Sequence, residues 1–487
     1  MEINDSKKDI LNEDNDLLSE LGFFKLLFSD EILDLLSEAT NEYYRKTLIE
    51  NYGQDYKKLI LSKESTSSYE YYYVTKGISK EDILAYIGVR IYMAIHKLPA
   101  IKDYWRAGLY QTQIKKVMSS KYFCLLGQAL HFPEKEKKLE KESFEESENS
   151  EYYTKVDPRH KIKLYLEKIA KNFQKYYELG RNITIDESLL QFKGRNSMKF
   201  YMPMKPHKWG FKIHLLCDSD TSYLYNLILD PGKSGKDFLC YKESPSVSES
   251  IVLRLLSCIN DKKQRNIFCD GWYSSISLMK KLSNMGYLVT TVLRSNSKEI
   301  PTKLKLKGYD KAYDDEILIQ KYEGKKTILF ATNYDIDKEK LRNIYNIKNR
   351  GVDTFDHYLE ISTIQRRSLK WYKKIILFGI DASIINSKII CELKTGRSYT
   401  INEFKQKLIQ QIFRVYQEYN FKKYDEDIYE KSDIRSRFRL HNIYCAKSYK
   451  KKCEKCHQET RYFCFECKIG LHPECFIIYH DKKIFNT

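Results

Sequence analysis

No apolar run in this 487-residue chain is long enough to span a bilayer. The longest, ILAYIGVRIYMAIHKL (83–98), is interrupted by Arg90 and His96. It reads as a buried helix, and no membrane contact is expected. A secretory leader is not expected either, because the opening stretch MEINDSKKDILNEDNDLL is charged throughout. Internal repeats and coiled-coil heptads are absent. Negative charge is in deficit: 66 acidic residues face 84 Lys and Arg, a net charge of +18. That excess favours a polyanionic partner, nucleic acid before anionic membrane, although Lys-rich surfaces also simply solubilise. The hydrophobic fraction of 42% is that of a folded protein. A chain this long exceeds one core and divides into two to four domains.

Twelve cysteines are unevenly spread, six of them between 445 and 475. The scattered six suggest a reducing compartment. The clustered six need an explanation of their own.

Residues 1–17 are polar and read as disordered. From 18 to 178 the pattern is helical, with apolar residues three and four apart in SELGFFKLLFSDEILDLLSEATNEYYRK. A mixed-charge run at about 134–152 reads as a linker or a solvated helix. The period then changes. RNITID, FKIHLLC, YLYNLIL, NIFCD, YLVTTVL and KKTILFATN are short and β-rich. This α/β part covers 179–297, with 298–345 read as an insertion and 346–357 as its last piece. Helices return over 358–435, and 436–487 forms a small cysteine-rich module.

Carboxylates stand at the ends of three separate elements. Asp186 closes the strand NITID, and Asp270 closes NIFCD. Asp353 and Asp356 open a helix in NRGVDTFDHYLE (349–360), nearly one turn apart on one face. A plainer explanation exists for each, since acids favour helix N-termini and Asp is ordinary after a strand. Gathered at one sheet edge, however, they would bind a hard cation, Mg²⁺ or Mn²⁺. A pair of such ions can activate a hydroxyl and stabilise the leaving oxygen of a phosphodiester. Composition and spacing lead as far as a metal-dependent, nuclease-like core.

The surrounding words go further. TIDESLLQFKGRNSMKFYMPMKPHKWGFKIHLLCDS, RNIFCDGWYSSISLMKKLSNMGYLVTTVLRSNSKEIP and NRGVDTFDHYLE resemble, in order, the three catalytic blocks of the piggyBac transposase family. LGFFKLLFSDEILDLLSEATNEYY and AYIGVRIYMAIHKLPAIKDYW resemble its N-terminal helices. The resemblance covers about residues 20–480. It implies an α/β fold with an RNase H-like catalytic core and an insertion domain. Helical DNA-binding and dimerisation segments would flank that core, and a zinc-binding domain would follow. It assigns Asp186, Asp270 and Asp353 as the metal-holding triad, with Asp356 as a fourth acid. The activity implied is cut-and-paste DNA transposition at TTAA sites by a nuclear dimer acting on transposon ends and target DNA. A domesticated DNA- or chromatin-binding protein without mobility is the alternative. Arg350 stands where the family pattern leads one to expect Gly, a minor departure.

Cations interleave with aromatics over 191–212. Lys193, Arg195, Lys199, Lys205, Lys208 and Lys212 are expected to neutralise DNA phosphates. The aromatics of this stretch read as core. Trp371, between cations in RRSLKWYKK, could stack on DNA or pack at helical spacing.

The tail carries the strongest local signal. Two CxxC pairs are followed by HxxC and a late His. His441, Cys453, Cys456, Cys464, Cys467, His472, Cys475 and His480 would fill two tetrahedral Zn²⁺ sites, with Cys445 and His457 as spare candidates. Such a module has no room for an apolar core and should need its metal to fold. It could bind DNA, as the resemblance implies, or a protein, including one of chromatin.

Overall fold

The computed structural model describes residues 19–57, 60, 74, 77–106, 112–133, 157–239, 246–261, 263–306, 309–323, 326–429, 443–445, 450–464, 469–476 and 479. The expected disordered start, 1–17, and the charged run at 134–152 lie outside them. Two units divide the chain, Met1–Tyr416 and Gln417–Thr487. Among the described residues no helix is long and apolar enough to cross a membrane.

The first unit begins with helices. Helix α1 (Glu20–Leu27) starts at Ser19, whose hydroxyl accepts the Gly22 amide at 3.1 Å. Helix α2 (Asp30–Tyr52) packs on α3 (Lys80–Ile95). A reciprocal Ser79–Asp82 capping box opens α3, and nearly its whole length is buried. That is the segment expected to be a buried helix from its apolar run. Short helices α4 (Thr112–Val117) and α5 (Ser120–Ala129) follow, then α6 (His160–Tyr176).

The sheet comes next. Its strands are β1 (Asn182–Gln191), β2 (Lys199–Tyr201), β3 (Trp209–Asp218), β4 (Leu224–Leu229), β5 (Asn266–Cys269), β6 (Leu288–Leu293), β7 (Lys311–Asp314), β8 (Ile317–Tyr322) and β9 (Ile328–Thr332). Helix α7 (Val247–Leu256) precedes β5, and α8 (Ile276–Asn284) links β5 to β6. The order is β2-β3-β1-β5-β6-β9-β8-β7, with β4 following β2 along the edge of β3 that faces away from β1. β1 pairs antiparallel with β3 and parallel with β5, and β5 pairs parallel with β6. The inner five strands, β4-β3-β1-β5-β6, are the mixed sheet expected of an RNase H-like core. Residues 298–345, expected as an insertion, contribute β7, β8 and β9 to the same sheet and most of helix α9 (Lys338–Lys348). The alternation in KAYDDEILIQKY was not legible as two strands, because Asp314 and Asp315 interrupt it at the hairpin turn.

Helix α10 (Gly351–Ile361) packs on β1 and β3. Helix α11 (Trp371–Thr395) is the axis of the first unit, with every residue from Tyr372 to Cys391 buried. A helix buried all round belongs in a core, and this one carries Lys373, Lys374, Asp381, Asn386 and Lys388 into it. Its polar groups are matched there, as burial requires. Asn386 exchanges bonds of 2.9 and 2.8 Å with the Leu224 backbone. Lys373 Nζ donates to the Gly127 and Gln128 carbonyls at 2.7 and 2.6 Å. Helix α12 (Ile401–Tyr429) leads out of the unit.

In the second unit, β10 (Ile443–Cys445) pairs with β13 (Tyr462–Cys464), and β11 (Lys451–Lys452) with β12 (Glu459–Thr460). Cys453, Cys464, Leu471 and Phe476 form a core of four side chains.

Candidate active site

Side chains on a strand alternate between faces. Thr184, Asp186 and Ser188 therefore share one face of β1, and Glu187 looks to the other. Helix α10 lies on the first face. Ser188 donates its hydroxyl to Asp356 Oδ1 at 2.5 Å, and Thr184 Oγ1 lies 3.4 Å from the Asn349 carbonyl. Gly351 makes this docking possible. A Cβ there would stand 2.4 Å from Thr184 Cγ2 and 3.1 Å from the Asp218 carbonyl. No side chain fits, so the first turn of α10 lies directly on the sheet and Asp353 is fixed beside it, exposed to solvent.

Asp270 follows β5, whose Cys269 pairs with Ile185 of β1. The register sets Asp270 next to Asp186. Its Oδ1 accepts the Trp272 amide at 2.8 Å, which fixes the carboxylate in the turn after the strand. Asp186 and Asp270 are thus neighbours, and Asp353 and Asp356 lie on the helix packed on β1, although among the described residues the four acids do not form a tight ligand group. Asp186 stands in the middle of β1: the strand runs on to Gln191 and does not end at the aspartate. Pairing with β3 through Gly210 holds it extended.

The electrostatics are those of crowded carboxylates. Burial, then the charges of Glu187 and Asp270, raises Asp186 to about 8. Burial likewise raises Asp270. Asp356 rises to about 6, chiefly through burial, against the Ser188 hydrogen bond. Like charges held close disfavour ionisation. A cation among them would reverse that, and the donors are all carboxylate oxygens, the set a hard divalent ion takes.

The basic residues are divided. Lys193, Arg195 and Lys208 are exposed. Lys205 is half-buried, donates to the Glu187 carbonyl at 3.0 Å, and its charge lowers both Asp186 and Asp356. Lys199 donates to the Gly194 carbonyl at 2.9 Å. Lys212, expected at a DNA surface, is instead buried. Its Nζ lies 3.6 Å from Glu187 Oε2 and 3.9 Å from the centre of the Trp272 ring. It sits mid-strand on β3, which is buried on both faces from Gly210 to Asp218. Trp371 is half-buried, with its ring 6.2 Å from that of Phe211. A cleft of about 830 Å³ opens beside Asp356. Its cations include Lys193, Lys205, Arg366, Arg367 and Lys374. Arg366 and Arg367 were not singled out from the sequence, although the pair RR in RRSLKWYKK was visible.

In the second unit, ligand atoms of Cys453, Cys456, His472 and Cys475 all lie within 4.8 Å of one another. The β11–β12 hairpin presents the first two. In its turn His457 has φ +60° and donates its amide to the Cys453 carbonyl at 2.8 Å, so it shapes the loop and is not in the group. His472 Nε2 is 3.2 Å from the Glu459 carbonyl, which leaves Nδ1 facing Cys456 Sγ at 3.3 Å. Such a carbonyl partner orients a ligating imidazole. Three thiols and one imidazole suit a tetrahedral Zn²⁺. Cys464 lies outside this group, buried in the small core. His441, Cys467 and His480 lie outside the described residues, as does the side chain of Cys445.

Residues 19–388 match a family model described as Transposase IS4. PiggyBac transposable element-derived protein 3 of Homo sapiens is 20% identical over 359 residues, which is 67% of this chain and 60% of that protein. The matched region thus spans under two thirds of this relative. PiggyBac transposable element-derived protein 2 of Homo sapiens is 21% identical over 507 residues, covering 96% of this chain and 77% of that protein. In fold the chain is similar to a cryo-EM structure of piggyBac transposase in a synaptic complex with hairpin DNA. The TM-score is 0.70 at 23% identity, over 95% of this chain and 98% of that one.

Proposed function

Since the chain belongs to the Transposase IS4 family, among its piggyBac-type members, we propose that it cleaves and rejoins DNA strands at a centre built by Asp186, Asp270 and Asp353. The observation that carries this reading is the convergence of these acids. Asp186 is on β1, Asp270 directly follows the adjacent parallel strand β5, and Asp353 is on a helix pressed onto β1 through Gly351. Asp186, Asp270 and Asp353 would hold Mg²⁺ or Mn²⁺. When bound, the ions supply Lewis acidity to the attacking hydroxyl and to the leaving oxygen.

The chain's own residues do the rest. Asp186 and Asp270 set the charge at the site from fixed backbone. Asp356, tied to Ser188, anchors α10 to β1 and stands behind Asp353 as a ligand or a supporting carboxylate. Lys205 balances part of the negative charge, and the cation-lined cleft beside Asp356 receives the DNA backbone. In the second unit, Cys453, Cys456, His472 and Cys475 hold one Zn²⁺ in this reading. Cys464 with Cys467, His441 and His480 hold a second, and the module recognises DNA ends or a chromatin protein. The active form would be a dimer, because two ends must be paired. It would act in the nucleus at TTAA targets.

The test is cleavage of a labelled transposon-end duplex by the full chain with Mg²⁺. Strand nicking that disappears with EDTA and in Asp270→Ala supports the reading. Salt-sensitive DNA binding without any nicking would replace it with a domesticated DNA-binding role.

A further inference from the structure

The hairpin of β2 and β3 carries aromatic rings where a core explanation does not hold. Tyr201 and Trp209 are register partners across it, with ring centroids 4.7 Å apart. They stay 51% and 48% exposed, whereas Phe192 and Phe211 of the same stretch are buried and stacked on each other at 4.8 Å. Gly210 separates the two sets. A Cβ there would come within 2.3 Å of the Leu190 carbonyl, so the backbone presses onto β1 and the flanking Trp209 stands clear.

Cations surround the exposed pair. Lys199 Nζ lies 4.9 Å from the centre of the Trp209 ring. A cleft of about 370 Å³ beside the ring is lined also by Lys193, His207 and Lys208. It shares Gln191, Lys193, Pro206 and His207 with the larger cleft that reaches Asp356. One basic path therefore leads from Asp356 to the Trp209 ring, against which Tyr201 lies.

We propose that Tyr201 and Trp209 form a stacking step for unpaired bases of the DNA strand that leaves the acid cluster, with Lys193, Lys199 and Lys208 on its phosphates. The occupant follows from the chemistry. Open rings beside cations are the recognition set for single strands, because every unpaired base offers a π face. An intact duplex hides those faces in its own stack and would use the lysines alone. The step rests on the strand-cleavage reading of the acids, which would create unpaired nucleotides at a cut end.

The experiment uses the full chain without divalent metal, so that no cutting intervenes. Three labelled probes are titrated by anisotropy: oligothymidylate, a blunt duplex, and the same duplex with a single-stranded overhang. Stacking is worth about 1–3 kcal/mol per base, so Trp209→Ala is expected to weaken oligothymidylate and overhang binding about tenfold more than blunt-duplex binding. Trp209→Phe should restore most of the loss, and Tyr201→Ala should repeat it in part. Quenching of tryptophan fluorescence by oligothymidylate should be smaller in Trp209→Phe than in the wild type. Equal losses on all three probes, or unchanged affinity in a folded Trp209→Ala protein, overturn the step. If wild-type protein cuts ends yet Trp209→Ala binds single strands normally, only the step falls. If single-strand binding needs Trp209 but the wild type never cuts, the two rings are a single-strand binding site without a cleaved strand, and the cleavage reading falls.

Discussion

The acids and the cysteine–histidine group are both proposed as metal-holding sets, but opposite means assemble them. Asp186, Asp270 and Asp353 come from a strand, the turn after a second strand and a helix, far apart in sequence and placed by the register of a large sheet and by a glycine contact. Cys453, Cys456, His472 and Cys475 lie within one short segment around a core of four side chains. In the first region the fold makes the site, so carboxylates can be crowded at a cost to stability. In the second, the core has only four side chains, so a bound metal is expected to supply the stability it lacks. Removing ligands should therefore act on chemistry in one region and on folding in the other.

The sharpest test of that contrast is ligand deletion in the sheet. Asp186→Ala, Asp270→Ala and Asp353→Ala should each reduce Mg²⁺-dependent end cleavage by at least about a thousandfold. Thermal unfolding of the first unit should not weaken. A variant that kept near-normal cleavage would remove its residue from the centre.

Next in size is metal removal from the tail. Purified protein should carry about two zinc ions, one of them lost in Cys456→Ala. A chelator should collapse the amide signals of residues 450–476 and leave the melting of the first unit in place. Elemental analysis without zinc, or a tail indifferent to chelation, would erase the comparison.

A smaller effect is expected at Gly351. Gly351→Ala drives a methyl against Thr184 Cγ2, so α10 must shift and carry Asp353 with it. Cleavage should fall about tenfold to a hundredfold, as for a misplacement of about 1 Å. Adding Thr184→Ala should recover part of it. Loss of the fold in place of loss of rate would mean that Gly351 serves packing alone.

The smallest expected effect is on stability. Asp186 is raised to about 8 in the fold, above its unfolded value near 3.8. Its contribution is then fully present at low pH and is lost as pH climbs towards 8, because the native state holds the proton more tightly. Without divalent metal, the first unit should melt lower at pH 8 than at pH 5. Asp186→Asn should recover a few degrees at pH 8, and Mg²⁺ should do the same for the wild type. Scanning calorimetry with no dependence on either would show that the acids are not crowded.

How far the sequence reached follows the same division. Spacing alone marked Cys453, Cys456, His472 and Cys475, because ligands a few residues apart are brought together by local turns. Asp186, Asp270, Asp353 and Asp356 could be marked as acids at element ends, yet their convergence depends on β1 pairing with β5 and on α10 lying upon β1. The words around them carried the family. Strands β7 and β8 escaped notice because their stability comes from pairing in the sheet, and neither has a long β-rich run of its own.

By itself the sequence determined which side chains were available: the acids, the thiols, a surplus of cations and the local periods of helix and strand. Only the tertiary structure decided their use. Lys205 and Lys212 look alike in a basic run, but Lys205 lies in the loop between β2 and β3 and stays half-exposed, whereas Lys212 is buried on β3 between Glu187 and the Trp272 ring. Phe211 and Trp209 are two residues apart, and one is core while the other faces solvent. Burial is set by what packs across an element, and that partner is always supplied from elsewhere in the chain.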